Sequence, residues 1–140
     1  MENVSVLIHA VWGTKYRAAL LTSEIRSLLF AHMKENAAKR NIRIVIINGM
    51  PDHVHCLFYL NPEFSVEKTM GLIKGESSFW LNKEKLIIKP FKWARGYYAR
   101  YVGVGEKQIV IKYIENQQIH HQEENYFKAS EDFLKTCKFD

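Results

Sequence analysis

Residues 42–60 read Ile42-Arg43-Ile44-Val45-Ile46-Ile47-Asn48-Gly49-Met50, then Pro51-Asp52, then His53-Val54-His55-Cys56-Leu57-Phe58-Tyr59-Leu60. Two runs rich in β-branched and aromatic residues flank a Pro-Asp pair. Proline fixes φ and aspartate bonds its own turn, so the stretch predicts a hairpin of two strands, 42–50 and 53–60. Upstream, Val4, Val6, Ile8, Ala10 and Trp12 alternate with Ser5, Leu7, His9 and Val11, the period of a strand with one packed face. Between that strand and the hairpin, Ile25, Leu28, Leu29 and Met33 recur at helical spacing. A helix is expected from Ser23 to Arg40, with Ser23 as its cap and a stop near Asn41. Downstream, Ser65 can cap a helix that puts Val66, Met70, Ile73, Ser77 and Trp80 on one face. Leu86 to Val102 is rich in Ile, Phe, Trp, Tyr and Val but interrupted by Pro90 and Gly96, and reads as an extended segment with a bulge or bend. A last long helix is expected over Glu106 to Phe127.

The order is strand, helix, strand, strand, helix, strand, helix, and no repeat, linker or low-complexity tract divides it. The expectation is one α+β domain over 1–140: a ferredoxin-like antiparallel sheet with helices on one face and a C-terminal helix. A chain of 140 residues, 47% of them hydrophobic, can bury a real core, which excludes a wholly disordered protein. The longest apolar stretches, such as Val4 to Ile8 and Ile44 to Ile47, fall far below the roughly 18 residues a membrane span needs. Met1-Glu2-Asn3 carries an acid where a signal peptide carries a base, so the chain reads as cytoplasmic. Cys56 and Cys137 have neither Cys-x-x-Cys spacing nor disulfide density and read as ordinary thiols.

Twenty Lys and Arg against fifteen Asp and Glu give a net charge of +5, which permits a polyanionic partner without demanding one. Bases gather at Lys15, Arg17, Lys74, Lys83, Lys85, Lys89, Lys92, Arg95 and Arg100, whereas residues 115–132 hold Glu115, Glu123, Glu124, Glu131 and Asp132 against Lys128. One part of the surface should be the more basic; a solvated mixed surface accounts for the charge pattern equally well.

His53-Val54-His55 lies on the third expected strand, where alternation sends both imidazoles out of one face. Two neutral rings so placed can share a divalent metal, and a purely structural role is the alternative. Their position directly after Pro51-Asp52, on an otherwise apolar strand, sharpens the metal reading because polar rings there need partners. On the last helix, at about 100° per residue, Tyr113, Gln117, His120 and Glu124 fall within about 60° of one another beside the apolar Val110, Ile111 and Ile114. His120 and Glu124 read best as the solvated edge of an amphipathic helix.

Pro51-Asp52-His53-Val54-His55 followed by Tyr113-Ile114-Glu115-Asn116-Gln117 resembles the single-tyrosine HUH transposases of bacterial insertion sequences, HUH meaning histidine, hydrophobe, histidine. His9 to Arg17 (HAVWGTKYR) is similar to that family's first strand and loop, and Met50 to Leu57 to its metal strand. Lys74 to Asn82 (KGESSFWLN) is similar to its second helix and Trp93 to Gly103 to its last sheet strand. The resemblance implies that His53 and His55 are metal ligands, that Tyr113 is the nucleophile, and that Gln117 completes the metal site. It implies cleavage of single-stranded DNA at element ends, giving a 5′-phosphotyrosine link and a free 3′-hydroxyl that later reverses the link. It further implies a homodimer that recognises DNA hairpins, each site combining the metal ligands of one subunit with the tyrosine helix of the other.

The residue types suit that chemistry. A phenol with pKa near 10 is a poor nucleophile at neutral pH, so it requires a metal or base to favour the phenolate and a cation to polarise the phosphodiester. Histidine with amide or water oxygens suits Mg²⁺ or Mn²⁺, Mn²⁺ being the better match to two nitrogens, although imidazole also accepts Zn²⁺. Among the other tyrosines, Tyr97, Tyr98 and Tyr101 sit on the extended segment, as core packing or base-stacking surface, and Tyr126 lies near the helix end. Lys15, Arg17, Lys74 and Arg95 are the expected phosphate contacts, chosen from their loops and charge, with plain surface solubility as the alternative for each. Three other readings compete: a rolling-circle replication initiator or relaxase, a catalytically silent ferredoxin-like RNA-binding module stacking bases on Tyr98 and Tyr101, and a zinc hydrolase.

Overall fold

The computed structural model describes residues 4–117 and 124–137. Its elements are β1 (Leu7–Gly13), α1 (Ser23–Lys39), β2 (Arg43–Met50), β3 (His53–Tyr59), α2 (Val66–Lys83), β4 (Tyr98–Val102), α3 (Lys107–Glu115) and α4 (Glu124–Thr136). The strands form one sheet in the order β2-β3-β1-β4, with every pairing antiparallel. This is the strand order of the split βαβ arrangement expected from the sequence.

The hairpin forms as read. Met50 pairs with His53, Asn48 with His55 and Ile47 with Cys56 across the Pro51-Asp52 turn. Gly49 lies opposite Val54, and a Cβ built there would stand 2.3 Å from the backbone oxygen of His53. The approach of the two strands at the turn thus requires a residue without a side chain.

β1 departs from the expected one-sided strand, because all seven of its residues are buried. Ile8, Ala10 and Trp12 join Val54, Cys56 and Phe58 in a core covered by Leu29 and Met33 of α1 and Met70, Ile73 and Leu81 of α2. Leu7 faces the other way and packs with Leu57, Val102, Val110, Tyr113, Ile114 and Phe127. Val11, also on that side, packs with Ala94, Leu134 and Cys137. So α1 and α2 cover one face, as expected, while the tyrosine helix α3 and the final helix α4 cover the second. The alternation Leu7, His9, Val11 points into that second layer.

The caps follow sequence chemistry with one shift. Ser65 Oγ accepts from Lys68 N at 3.0 Å, as expected, but α1 is capped by Thr22, whose hydroxyl accepts from Ile25 N at 3.3 Å, and Ser23 is its first helical residue. Asn41 ends the helix region with a φ of 61°, a left-handed conformation that Asn tolerates. The long extended segment shortens to β4 alone. The chain before it is irregular but anchored: Phe91 N donates to Asn82 Oδ1 at 2.7 Å, Trp93 Nε1 donates to Ser77 Oγ at 3.0 Å, and Thr14 bridges Trp93. Cys56 and Cys137 are both buried free thiols. No helix among the described residues is long and apolar enough to cross a membrane.

The single helix expected over Glu106 to Phe127 is instead two. α3 stops at Glu115, and Asn116 leaves helical geometry while its N–H still bonds Lys112 O. Physically, residues 115–125 are Glu, Asn, Gln and His with Ile119 as their one apolar member, too little apolar periodicity to hold a helix against the sheet, and Asn competes with the helical backbone for hydrogen bonds. His120 and the side chains of Glu124 and Tyr126 lie outside the described residues. The tail beyond, which carries no motif, becomes α4, burying Phe127, Ser130, Leu134 and Cys137 at helical spacing.

Candidate active site

The second layer gathers the expected residues. His53 and His55 leave the same face of β3, their ring centroids 5.3 Å apart. Tyr113 of α3 stands against His55 of its own chain, centroids 5.4 Å apart and nearly perpendicular. Its ring is stacked on Phe127 of α4 at 3.6 Å. What holds α3 there is Asn48, directly opposite His55 on β2: its amide donates to Ile114 O at 2.8 Å and Glu115 O at 3.1 Å, satisfying carbonyls at the helix end that would otherwise be orphaned.

Each histidine is fixed through its Nδ1. Asp52 Oδ1 lies 2.7 Å from His53 Nδ1, and since a carboxylate only accepts, His53 donates there, which leaves Nε2 as the ring nitrogen that can serve as a ligand. Asp52 is gripped from behind by Arg17 at 3.0 Å. Burial pushes the Asp52 carboxyl upward, but the hydrogen bonds from His53 and Arg17 and the charges of both residues outweigh it and bring its pKa down to about 2. His55 Nδ1 lies 3.0 Å from His9 Nε2 of β1, both rings being fully buried. Burial, then the Arg100 charge, lowers His9 to about 4. Burial, then His9 and His53, drives His55 well below its usual value. Both are therefore neutral imidazoles at pH 7.

His55 Nε2 is buried without a hydrogen-bond partner and sits 4.0 Å from Glu131 Oε2 of α4. The Tyr113 hydroxyl donates to that same carboxylate oxygen. Burial, then the Glu131 hydrogen bond and charge, raises the Tyr113 pKa, with an opposing contribution from Gln117, so the phenol is neutral at rest. The buried, unpartnered Nε2 of His55 and the Nε2 of His53 fit a divalent cation shared between two imidazoles. No group of three or more His, Cys, Asp or Glu among the described residues is arranged to hold a metal unaided, so further ligands would be amide, water or substrate oxygen.

Gln117 does not occupy a helical position one turn after Tyr113, because α3 has already ended. It remains close by reaching back, its Nε2 donating to Tyr113 O at 3.0 Å. Of the expected phosphate contacts, Arg17 is turned inward, donating also to Leu134 O at 2.9 Å. Lys74 Nζ donates to Ala94 O at 3.0 Å and Gly96 O at 2.6 Å, bracing the segment before β4. Lys15 has its ammonium 5.2 Å over the ring of exposed Tyr16, and Arg95 is exposed.

Sequence reasoning missed His9, Asn48 and Glu131. A two-residue turn at 51–52 already implies that 48 faces 55, so Asn48 was within reach. Phe127, Glu131 and Leu134 repeat at helical spacing and pointed to one face of α4. His9 required the sheet order.

Residues 3–117 match the family described as transposase IS200 like. The chain is 33% identical over 115 residues to the transposase for insertion sequence element IS200 of Salmonella typhimurium, covering 78% of this chain and 74% of that protein. It is 29% identical over 115 residues to the ISDra2 transposase TnpA of Deinococcus radiodurans, covering 78% and 81%. Among solved structures, a candidate transposase from Deinococcus radiodurans R1 aligns with a TM-score of 0.67 at 25% identity, over 83% of this chain and 93% of that one. A REP-associated tyrosine transposase bound to a REP hairpin shares the fold at a TM-score of 0.60 and 14% identity, over 81% and 67%. With the match spanning the first strand, the histidine pair and Tyr113, the chain belongs to the IS200-like transposase family.

Proposed function

We propose that this transposase cleaves and rejoins single-stranded DNA through a 5′-phosphotyrosine intermediate on Tyr113, assisted by Mg²⁺ or Mn²⁺ at His53 and His55. The observation that carries this is the Tyr113 ring 5.4 Å from the ring of His55, whose buried Nε2 has no partner. A cation bound there would polarise a phosphodiester and favour the phenolate. His53 and His55 present their Nε2 atoms, and Gln117, after turning from the Tyr113 carbonyl, can add an amide oxygen. Glu131, already accepting the Tyr113 hydrogen bond, takes the phenol proton. Tyr113 Oη then bonds to phosphorus, the bond from phosphorus to the 3′ oxygen breaks, and that oxygen departs with a proton gained from its surroundings. Because the phosphoester is exchanged rather than hydrolysed, a 3′-hydroxyl can reverse the step with no nucleotide triphosphate.

The structural neighbour bound to a REP hairpin supports DNA hairpins as partners of this chain, and the family resemblance supports a homodimer. Lys15 and Arg95 remain candidate phosphate contacts, and Arg17 and Lys74 also brace the segments they bond.

The test is a denaturing gel of the protein with labelled single-stranded element ends and Mg²⁺ or Mn²⁺. A covalent adduct is expected with the native chain and none with Tyr113→Phe, whose ring still stacks on Phe127, so its melting temperature should move by no more than about 3 °C. An undiminished adduct in that variant would assign the nucleophile elsewhere; metal-independent binding with no adduct at all would favour a silent nucleic-acid module.

A further inference from the structure

We propose that His9 is a positioning residue that accepts the Nδ1 hydrogen of His55, so that Nε2 can face the metal as a lone pair; this rests on reading His53 and His55 as the metal pair. The register puts His9 opposite Leu57 and His55 opposite Val11, so the two histidines are diagonal neighbours on one face of adjacent strands. Their rings stack at 5.3 Å with 19° between planes, and Nε2 of one lies 3.0 Å from Nδ1 of the other.

A contact of 3.0 Å between two ring nitrogens needs one hydrogen between them. If His9 donates, His55 accepts at Nδ1 and carries its hydrogen at Nε2, which makes that nitrogen a donor and useless as a ligand. If His55 donates, its Nε2 is the lone pair a cation needs. The outer nitrogens, His9 Nδ1 and His55 Nε2, are both buried and unpartnered, so each arrangement leaves one orphaned N–H, and the Glu131 carboxylate 4.0 Å from His55 Nε2 favours the hydrogen there while no cation is bound. A cation on His55 Nε2 removes the first arrangement, and His9 is the residue able to receive the resulting Nδ1 hydrogen bond. His53 obtains the same service from Asp52. Both ligands are thus held at Nδ1 from outside the metal, one by a carboxylate and the other by a second imidazole.

The test uses the full chain and two variants, His9→Leu, which fills the space without an acceptor, and His9→Gln, whose amide oxygen can accept the same bond. Mn²⁺ affinity is measured by electron paramagnetic resonance, with His53→Ala, His55→Ala as the control for the site. His9→Leu should weaken Mn²⁺ binding about 10- to 100-fold, with His9→Gln within about 3-fold of the native chain. In the native chain loaded with diamagnetic Zn²⁺, long-range proton–nitrogen spectra should show His55 protonated at Nδ1 and His9 Nε2 bare. Equal Mn²⁺ affinity in folded His9→Leu, equal losses in both variants, or a bare His55 Nδ1 in the zinc-loaded chain would each overturn the assignment. Should His9→Leu fail to fold, the spectra and His9→Gln still decide. If the native chain binds Mn²⁺ no better than the His53→Ala, His55→Ala control, the metal reading itself falls, an outcome distinct from a native site indifferent to His9.

Discussion

A buried pair of neutral imidazoles makes this fold sensitive to acid before its carboxylates titrate. His9 binds its proton only near pH 4 when folded, against 6.5 ordinarily, and His55 is shifted in the same direction. Above pH 6.5 neither folded nor unfolded chain holds these protons; below it the unfolded chain takes them up first, so stability is complete above 6.5 and is lost as pH falls toward 4. For His9 alone the loss amounts to about 3 kcal/mol by the lower limit. Asp52 acts lower, its contribution present above 3.8 and lost as pH falls through about 2. Urea unfolding of the metal-free protein should therefore show a midpoint dropping between pH 7 and pH 5; an unchanged midpoint would contradict the burial of these rings. The pair His53 and His55 and the residue Tyr113 could be singled out in the sequence because His-x-His is a short recognisable pattern and the family resemblance pointed to one tyrosine among several. Their supports could not: His9 alternates among apolar residues as an outward-facing polar group would, and only the β1–β3 register turns it toward His55.

Between elements, the most consequential contact is that of α4 with the sheet. Leu134 is 1% exposed and packs with Val11, Ala94 and Cys137, while its carbonyl accepts from Arg17. Leu134→Ala should cost about 2–5 kcal/mol, read as a lower urea midpoint; a cost under about 0.5 kcal/mol, the usual range for surface positions, would mean α4 does not dock. The strands β1 to β3, α1 and α2 were legible to within a few residues because each carries an apolar period and a cap or turn at its ends. The end of α3 at Glu115 was not, since the largely polar sequence after Ile114 preserves the angular spacing of Tyr113 and Gln117 on paper while carrying little apolar periodicity. The bend before β4 was signalled by Pro90 and Gly96, but its anchors, Asn82, Ser77 and Lys74, are distant in sequence.

For the whole molecule, charge and assembly give two tests. A net charge of +5 working on single-stranded DNA should make binding fall steeply with salt. If four phosphates are neutralised, the slope of log K against log salt is about −3, and a slope near zero would exclude a basic groove. Within one chain α3 packs beside its own histidines, yet a second copy would offer α3 an identical groove, so exchange through the connection Gly103-Val104-Gly105 would preserve its packing. The family resemblance implies that exchange. Mixing His53→Ala, His55→Ala subunits with Tyr113→Phe subunits should then restore part of the cleavage activity, with the adduct on the histidine-mutant chain; dead mixtures despite proven heterodimers would show that each chain keeps its own helix. Gly49 sets a different kind of limit. With the His53 carbonyl 2.3 Å from where its Cβ would be, every residue other than glycine installs an atom the hairpin cannot accept without moving its backbone. A genomic copy drifting without selection can therefore fall silent at position 49 while its histidines and tyrosine still read as intact, and Gly49→Ala is the smallest lesion that separates a legible transposase gene from a working one.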